Sequence, residues 1–194
     1  MPSAAELTPR LRAFIEQQRL FFVATAASDG RVNLSPKGMD TLQVLSLERI
    51  VWINLTGSGN ETAAHVAENP RMTLMFCAFE GDPMILRVYG QAQVLHPHDR
   101  AWEDAAGRFP PMAGQRNLFE LTIEMVQISC GTGVPVMPIE RERGPSDLLP
   151  YYADLGPEGV SAYWQRKNRL SIDGKETGTC PDRAARAGWR IHSA

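Results

Sequence analysis

Two polar stretches of the sequence have residue types and spacing that suit an anionic ligand. In the first, residues 32–37, the polar residues Asn33, Ser35 and Lys37 alternate with Val32, Leu34 and Pro36. Successive side chains of a β-strand point to opposite faces, so the three polar side chains would share one face. A polar face of this kind either meets solvent or lines a binding site.

The second stretch is a Gly-Ser-Gly loop at 57–59, which follows an apolar run and precedes a short predicted helix at 61–68. Asn60 is a favourable N-cap, and an Asn-Pro pair at 69–70 ends the helix. Free N–H groups and the helix dipole at such an N-terminus favour an anion. A plain strand-to-helix turn explains the same residues, and Glu61 would compete with a phosphate on the first turn.

Arg87 is a third candidate, because it lies inside the apolar run at 84–95. An unpaired charge in a buried strand is costly, so Arg87 needs an anionic partner, either a core carboxylate or a ligand. The three cysteines, Cys77, Cys130 and Cys180, are odd in number and lack metal-ligand spacing. We therefore expect neither a disulfide framework nor a metal site, and the sequence identifies no catalytic acid, base or nucleophile.

Length and composition are those of an ordinary globular protein. The chain has 194 residues, 43% of them apolar, and a formal net charge of −2. This charge gives no reason to expect a nucleic-acid partner, which normally requires a basic face. The N-terminal sequence lacks a basic segment followed by an apolar one, and no apolar run approaches the ~20 residues that span a bilayer. We expect a cytoplasmic protein without a membrane partner.

Apolar and β-branched runs separated by turn residues predict six or seven strands paired as antiparallel hairpins. The runs lie at 20–27, 32–37, 42–47, 50–54, 72–79, 84–95 and 119–129. Pro36 cannot donate to a sheet, so its strand should end there or lie at an edge. Helices are predicted after Thr8, from Pro97 to about residue 107, and over 157–169. This order favours an antiparallel barrel or sandwich with short peripheral helices.

The motifs, in this order, resemble those of the pyridoxamine 5′-phosphate oxidase-like flavoproteins, the FMN-binding split-barrel family. The matching segments are F-F-V-A-T (21–25), D-G-R-V-N-L-S-P-K-G (29–38), I-V-W-I-N-L (50–55), H-V-A-E-N-P-R (65–71) with M-T-L-M-F (72–76), and L-R-V-Y-G-Q-A (86–92). The resemblance implies a mainly β fold, an antiparallel split β-barrel of about six strands within residues 1–130. Residues 131–194 would form a C-terminal extension that packs on the barrel or on a dimer partner.

The resemblance also implies a homodimer that binds FMN in clefts formed by both chains. Carried over by position, the strand at 33–38 would lie beside the flavin ring or phosphate, and the strand that contains Trp52 and Ile53 would lead into the loop. The loop would contact the phosphate, and Arg87 would lie on a strand that faces the flavin. The implied cofactor-binding residues are Asn33, Ser35, Pro36, Lys37, Gly38, Trp52, Ile53, Ser58, Gly59, Asn60, Glu61, Thr62 and Arg87.

Two departures from the oxidase pattern bear on the substrate. The oxidases place basic residues where Glu61 and Thr62 stand, so the phosphate would depend on backbone N–H groups, hydroxyls and the charge of Lys37 or Arg87. Their C-terminal R-L-x-x-R signature is absent, although Trp189-Arg190-Ile191 is weakly similar to its final strand. Pyridoxamine phosphate is therefore not the expected substrate.

The expected activity is hydride transfer between FMN and a nicotinamide or another small organic substrate. In flavin chemistry the cofactor carries the electrons while the protein positions it, which agrees with the lack of an identifiable catalytic residue. Two alternatives remain open on the same barrel: a haem or deazaflavin binder, and a non-catalytic binding or regulatory module, which Glu61 in the loop would favour.

Overall fold

A computed structural model describes residues 3–180 and shows a mainly β protein. Within these residues the strands are β1 (Ser3–Ala4), β2 (Leu20–Thr25), β3 (Asn33–Gly38), β4 (Leu42–Ser46), β5 (Arg49–Leu55), β6 (Arg71–Cys77), β7 (Met84–Leu95) and β8 (Gln115–Cys130). The helices are α1 (Pro9–Gln17), α2 (Glu61–Glu68), α3 (Trp102–Ala106) and α4 (Leu149–Lys167), with a π-helical turn, Gly144–Leu148, before α4. Trp189, Arg190 and Ile191 lie outside the described residues.

The strands form one antiparallel sheet in the order β3-β2-β6-β7-β8-β5-β4, with β1 pairing to β8. The edge strands β3 and β4 are consecutive in sequence and are joined by residues 39–41 alone. Three residues span at most about 15 Å between flanking Cα atoms, so the two edges must lie close together and the sheet must curl. The predicted split barrel is confirmed, and Pro36 lies in an edge strand as predicted.

The connection between the two edges has an unusual backbone. Met39 and Asp40 both adopt left-handed conformations, with φ of 67° and 52°. Residues other than glycine rarely adopt this left-handed region of backbone conformation. Two such residues in succession reverse the chain direction sharply. The reversal returns the chain from one edge of the curled sheet to the other.

Alternation along the strands fills the inside of the curled sheet. In β2 the side chains of Phe21, Val23 and Thr25 are buried, and their neighbours are only half-buried. Phe21 stacks on Phe76 with ring centroids 5.9 Å apart, and Trp52 stacks on Phe119 at 4.5 Å. Burying an aromatic side chain of this size contributes about 1.5–3 kcal/mol. These rings therefore anchor the strands that carry the site.

The first two helices follow their sequence signals closely. Thr8 caps α1, because its Oγ1 accepts from the N–H of Leu11 at 3.3 Å. Helix α2 begins and ends at the predicted residues, with Asn60 and Asn69 at its caps. The Asn60 side chain makes no capping bond, since its amide is used elsewhere in the site described below.

The third and fourth helices differ from prediction. Helix α3 begins at Trp102 rather than Pro97, because the Asp99 carboxylate accepts from the N–H of His96 at 2.7 Å and holds a turn there. Helix α4 begins well before Pro157, with a kink at Gly156, whose φ of 67° is not helical. No helix among residues 3–180 is long and apolar enough to cross a membrane.

Candidate functional site

A cleft of about 410 Å³ lies between edge strand β3 and the loop that follows β5. Its lining includes the inner side of β3, the loop at 57–60 and the first turn of α2. Met39 and Thr41 also line it, so the tight connection between β3 and β4 forms part of the cleft. The curl of the sheet is what brings these elements together, since β3 and β5 are far apart in the strand order.

The polar face predicted for β3 points into this cleft. Lys37 pairs with Phe21 and Ser35 with Val23, both of which are buried in the core. Directly paired residues of antiparallel strands point to the same face, so Lys37 and Ser35 face inward. Leu34, on the opposite face, is exposed.

One hydroxyl of this face lacks a hydrogen-bond partner in the described part of the chain. Ser35 Oγ is buried and has no hydrogen bond to any residue in the range 3–180. Asn33 beside it is engaged, because its Nδ2 donates to Thr62 Oγ1 at 3.1 Å and joins β3 to α2. A buried hydroxyl without a partner costs free energy, so Ser35 supplies an unused polar atom in the lining of the cleft.

Lys37 brings a positive charge to the same wall. Its Nζ donates to Asn54 Oδ1 at 3.1 Å and lies 5.5 Å from the centre of the Trp52 ring. Burial, with a smaller contribution from the charge of Arg116, lowers the pKa of Lys37 to about 8. Lys37 forms no ion pair with a carboxylate within residues 3–180. The ammonium group is therefore a partly desolvated cation whose protein partners are neutral.

A chain of buried amides runs from Lys37 to the loop. Asn54 Nδ2 donates to Asn117 Oδ1 at 2.9 Å, and Asn117 Nδ2 donates to Asn60 Oδ1 at 3.3 Å. Asn60 Nδ2 then donates to Thr179 Oγ1 at 2.6 Å. The chain uses one donor and the acceptor oxygen of the Asn60 amide, which fixes the orientation of this side chain, while the backbone N–H of Asn60 remains directed by the loop. Buried polar networks of this kind fix the arrangement of the groups they connect.

Arg116 is a second cation of the cleft, and the sequence analysis missed it. It lies near the start of β8, is 2% exposed, and donates through Nη1 to the carbonyl of Gly59 at 2.9 Å and to that of Gly57 at 3.3 Å. Burial lowers the pKa of Arg116 to about 10, so it stays charged at neutral pH. Its Nε is buried without a described partner. The available signal was the polar triplet at 115–117, which precedes the predicted strand.

Arg116 determines which way the loop peptides point. In a trans peptide the C=O and the following N–H point in opposite directions. Because the carbonyls of Gly57 and Gly59 point to Arg116, the N–H groups of Ser58 and Asn60 point away from it. The loop thus presents N–H groups ahead of the α2 N-terminus, where anions are favoured.

The C-terminal part of the chain supports the loop from its other side. Trp164 Nε1 donates to Thr56 Oγ1 at 2.8 Å, and Asn168 Nδ2 donates to the Gly57 carbonyl at 2.9 Å. The carboxylate of Glu61 accepts the N–H of Ile172 at 2.9 Å through Oε2. Glu61, predicted to compete with a phosphate, therefore has a structural partner of its own.

The structure brings most of the predicted cofactor-binding residues to one cleft. Eleven of them line it: Asn33, Ser35, Pro36, Lys37, Gly38, Ile53, Ser58, Gly59, Asn60, Glu61 and Thr62. Trp52 does not line it, because its side chain is fully buried in the core and reaches the site only through its contact with Lys37. Arg87 does not line it either.

Arg87 lies on the opposite face of the sheet, three strands from β3. Arg87 pairs with Met75, which pairs with Phe22, which pairs with Pro36. At about 4.8 Å per strand, the backbone of Arg87 is some 14 Å along the sheet from that of Pro36, and the Arg87 side chain is on the outer face. Its guanidinium donates to Ser129 Oγ at 3.1 Å. The second cation of the cleft is thus Arg116 and not Arg87.

The described part of the chain contains no candidate metal centre. No group of three or more His, Cys, Asp or Glu side chains in residues 3–180 is placed to hold a metal ion. Apart from the Glu61 carboxylate, the polar side chains of the cleft carry hydroxyl, amide, ammonium and guanidinium groups, which suit a phosphorylated organic ligand.

The curled antiparallel sheet and its cleft define a split-barrel protein, and comparison with known proteins identifies the family. The family model for pyridoxamine 5′-phosphate oxidase matches residues 7–130. A pyridoxamine 5′-phosphate oxidase family protein of Aspergillus flavus, ustO, is 38% identical over 184 residues, which cover 87% of this chain and 74% of that protein. The chain belongs to the pyridoxamine 5′-phosphate oxidase family.

Solved structures with low sequence identity share the fold. A candidate pyridoxamine 5′-phosphate oxidase of Lactobacillus delbrueckii superposes with a TM-score of 0.52 at 20% identity, over 66% of this chain and 99% of that one. A variant of HupZ from Group A Streptococcus gives a TM-score of 0.51 at 20% identity, over 63% and 99% of the two chains. At this identity the likeness concerns the fold alone.

Proposed function

We propose that this chain binds FMN in the cleft between β3 and the loop at 57–60, and that it is an FMN-dependent oxidoreductase. The family supports a flavin, because the sequence resembles the FMN-binding members in the segments that line the cleft. The observation that carries the proposal is the pair of cations, Lys37 and Arg116, neither of which is paired with a carboxylate within residues 3–180. Two such charges fit a phosphate dianion.

The remaining polar groups fit the same ligand. The hydroxyl of Ser35, which has no partner among residues 3–180, lies beside Lys37 on β3 and would donate to a phosphate or flavin oxygen. The N–H groups of Ser58 and Asn60 would hold phosphate oxygens at the α2 N-terminus. A phosphate held in this way is recognised from several directions, which fixes the orientation of the group attached to it.

When bound, FMN supplies the hydride chemistry, and the protein binds and orients it. Lys37 would neutralise phosphate charge, and Arg116 would hold the loop in its binding shape. The substrate would be a nicotinamide or another small organic molecule that approaches the flavin. Among residues 3–180, those that line the cleft include neither His nor Cys, so they offer a haem iron neither of those two common axial ligands.

A homodimer is part of the proposal. The outer face of β3 exposes Leu34, which is 62% accessible, and half-buried Phe22 and Met75 continue this face across β2 and β6. A second copy of the chain seated there would cover apolar surface and border the cleft from outside. Two-fold dimers are the commonest soluble assemblies.

The visible absorption spectrum of freshly purified full-length protein tests the proposal. We expect flavin bands, and release of FMN rather than riboflavin on denaturation. A Soret band, a deazaflavin spectrum or a colourless protein that takes up no FMN would overturn it. If flavin is present, oxidation of reduced nicotinamide under air distinguishes an oxidoreductase from a flavin-binding module.

A further inference from the structure

The end of α4 and the segment that follows it form hydrogen bonds with the loop of the cleft. We call residues 164–179 the C-terminal clasp. Its contacts with the loop come from Trp164 to Thr56, from Asn168 to the Gly57 carbonyl, and from Thr179, which accepts from Asn60. All three are side-chain contacts with residues more than 100 positions earlier in the chain.

The clasp also holds the opposite wall of the cleft. Asp173 forms an ion pair with Arg31, and its carboxylate accepts the Arg31 N–H at 2.8 Å, in the turn between β2 and β3. Lys175 forms ion pairs with Asp29 in the same turn and with Glu68 at the end of α2. One segment therefore contacts the turn that leads into β3, the loop and helix α2.

Asn168 is the central contact of the clasp. It is fully buried, and Gly57, whose carbonyl it holds, receives a second hydrogen bond on the same oxygen from Arg116. Asn168 is itself held in place, because its backbone carbonyl accepts from Thr177 Oγ1 at 2.5 Å. Without Asn168, the Gly57 carbonyl keeps only the longer bond of 3.3 Å from Arg116. A glycine peptide with one weak restraint can rotate readily.

We propose that Asn168 is a positioning residue for phosphate recognition: by holding the Gly57 carbonyl, it keeps the Ser58 N–H turned into the cleft. Trp164 assists by fixing Thr56, the residue before Gly57. The inference rests on the proposed FMN site, and it assigns a role to a segment beyond the matched family region, residues 7–130. The clasp acts on the phosphate end of the ligand and not on the flavin ring.

The ratio of FMN affinity to riboflavin affinity measures phosphate recognition separately from ring binding. We would measure both by titration calorimetry on the apo form of full-length wild type, Asn168→Asp and Trp164→Phe. Asn168→Asp replaces the amide donor with a carboxylate that repels the Gly57 carbonyl, and should lower the ratio about tenfold or more. Trp164→Phe keeps a smaller aromatic ring at this position and removes the N–H that donates to Thr56, and should lower the ratio about threefold.

Val160→Ala is the matched control, because Val160 is buried in the same helix but is not among the residues hydrogen-bonded to the loop. It should lower the melting temperature and leave the affinity ratio unchanged.

Each outcome decides between the two proposals. If both clasp variants retain the wild-type ratio, or if Val160→Ala lowers it equally, the role of Asn168 is wrong while FMN binding stands. If wild-type protein binds FMN and riboflavin equally, the phosphate site fails and the clasp proposal fails with it. Should Asn168→Asp not fold, Trp164→Phe carries the test alone, because it is the milder change.

Discussion

Lys37 and Asn54 meet across the floor of the cleft, where the ammonium of Lys37 donates to the Asn54 side-chain oxygen at 3.1 Å. This contact joins the edge strand β3 to β5, and the asparagine chain extends it to the loop. A neutral acceptor satisfies a lysine proton without cancelling its charge. The relationship leaves Lys37 oriented, partly desolvated and available to an anion.

The first prediction concerns pH. Because the pKa of Lys37 is lowered to about 8, apo protein loses this charge as pH rises through 8. A bound phosphate, which is a dianion above about pH 7, favours the charged form of Lys37, so FMN affinity should fall by up to about tenfold per pH unit above 8. The affinity for riboflavin, which lacks the phosphate, should not change over the same pH range. In Lys37→Met the FMN profile should lose this fall, and an unchanged profile would remove Lys37 from the site.

The same group affects the stability of the apo form. The folded state disfavours charged Lys37, whose pKa is about 8 when folded and 10.5 in the unfolded chain. Between these values the unfolded state binds more protons, so this group makes the apo protein more stable as pH rises from 8 toward 10.5. Bound FMN should reduce that trend, since phosphate compensates the charge.

The second prediction concerns Arg116. Arg116→Met leaves the carbonyls of Gly57 and Gly59 without this donor, and should destabilise the protein by about 1–3 kcal/mol. FMN affinity should fall with it, because the loop loses both its shape and a positive charge. Arg116→Lys keeps the charge but not the forked geometry, so it should recover part of the affinity. Denaturant unfolding and FMN titration check the two effects, and a stable Arg116→Met protein with wild-type affinity would contradict both.

The sequence predicts those parts of the site that depend on residues close to one another in the chain. The inward face of Asn33, Ser35 and Lys37 follows from alternation within one strand, and the α2 N-terminus follows from local glycine and capping signals. Both could be predicted because the information lies within a few residues. The antiparallel hairpins likewise follow from local turn residues, and their order predicts the barrel.

Arg116 and the C-terminal clasp could not be predicted in the same way. Arg116 reaches Gly59 across 57 positions, and Asn168 reaches Gly57 across 111. Those contacts depend on the register of β8 against β5 and on the path of the chain after β8, which no local pattern encodes. Arg87 illustrates the same limit: a charge in an apolar strand can be recognised locally, but only strand pairing shows that it lies on the outer face, away from this cleft.

The third prediction separates the two roles of Glu61. Glu61→Gln keeps an oxygen that accepts from the Ile172 N–H and removes the negative charge near the cleft. FMN affinity should rise by a few fold, because repulsion of the phosphate is relieved. Glu61→Ala removes the charge and the contact together, so its gain should be smaller and its melting temperature lower. Weaker FMN binding in Glu61→Gln would show that the carboxylate does not oppose the phosphate.

The fourth prediction concerns the dimer. Sedimentation equilibrium at micromolar concentration should give twice the chain mass of 21.5 kDa. Leu34→Glu places a charge on the exposed outer face of β3 and should shift the protein toward the monomer, since burying an unpaired charge is costly. Val136→Glu is the control, because Val136 is 76% exposed in the segment between β8 and α4. A wild-type monomer, or equal effects of the two variants, would contradict the proposed interface.

The most direct test of the FMN site is calorimetric titration of apo protein at pH 7 with FMN and, separately, with riboflavin. The two ligands differ only in the phosphate that Lys37 and the loop, held in shape by Arg116, would bind. Hydrogen bonds to a charged group contribute about 1.5–3 kcal/mol each, so FMN should bind at least about tenfold more tightly than riboflavin. Equal affinities, or no binding of either ligand, would contradict the assignment of this cleft as an FMN phosphate site.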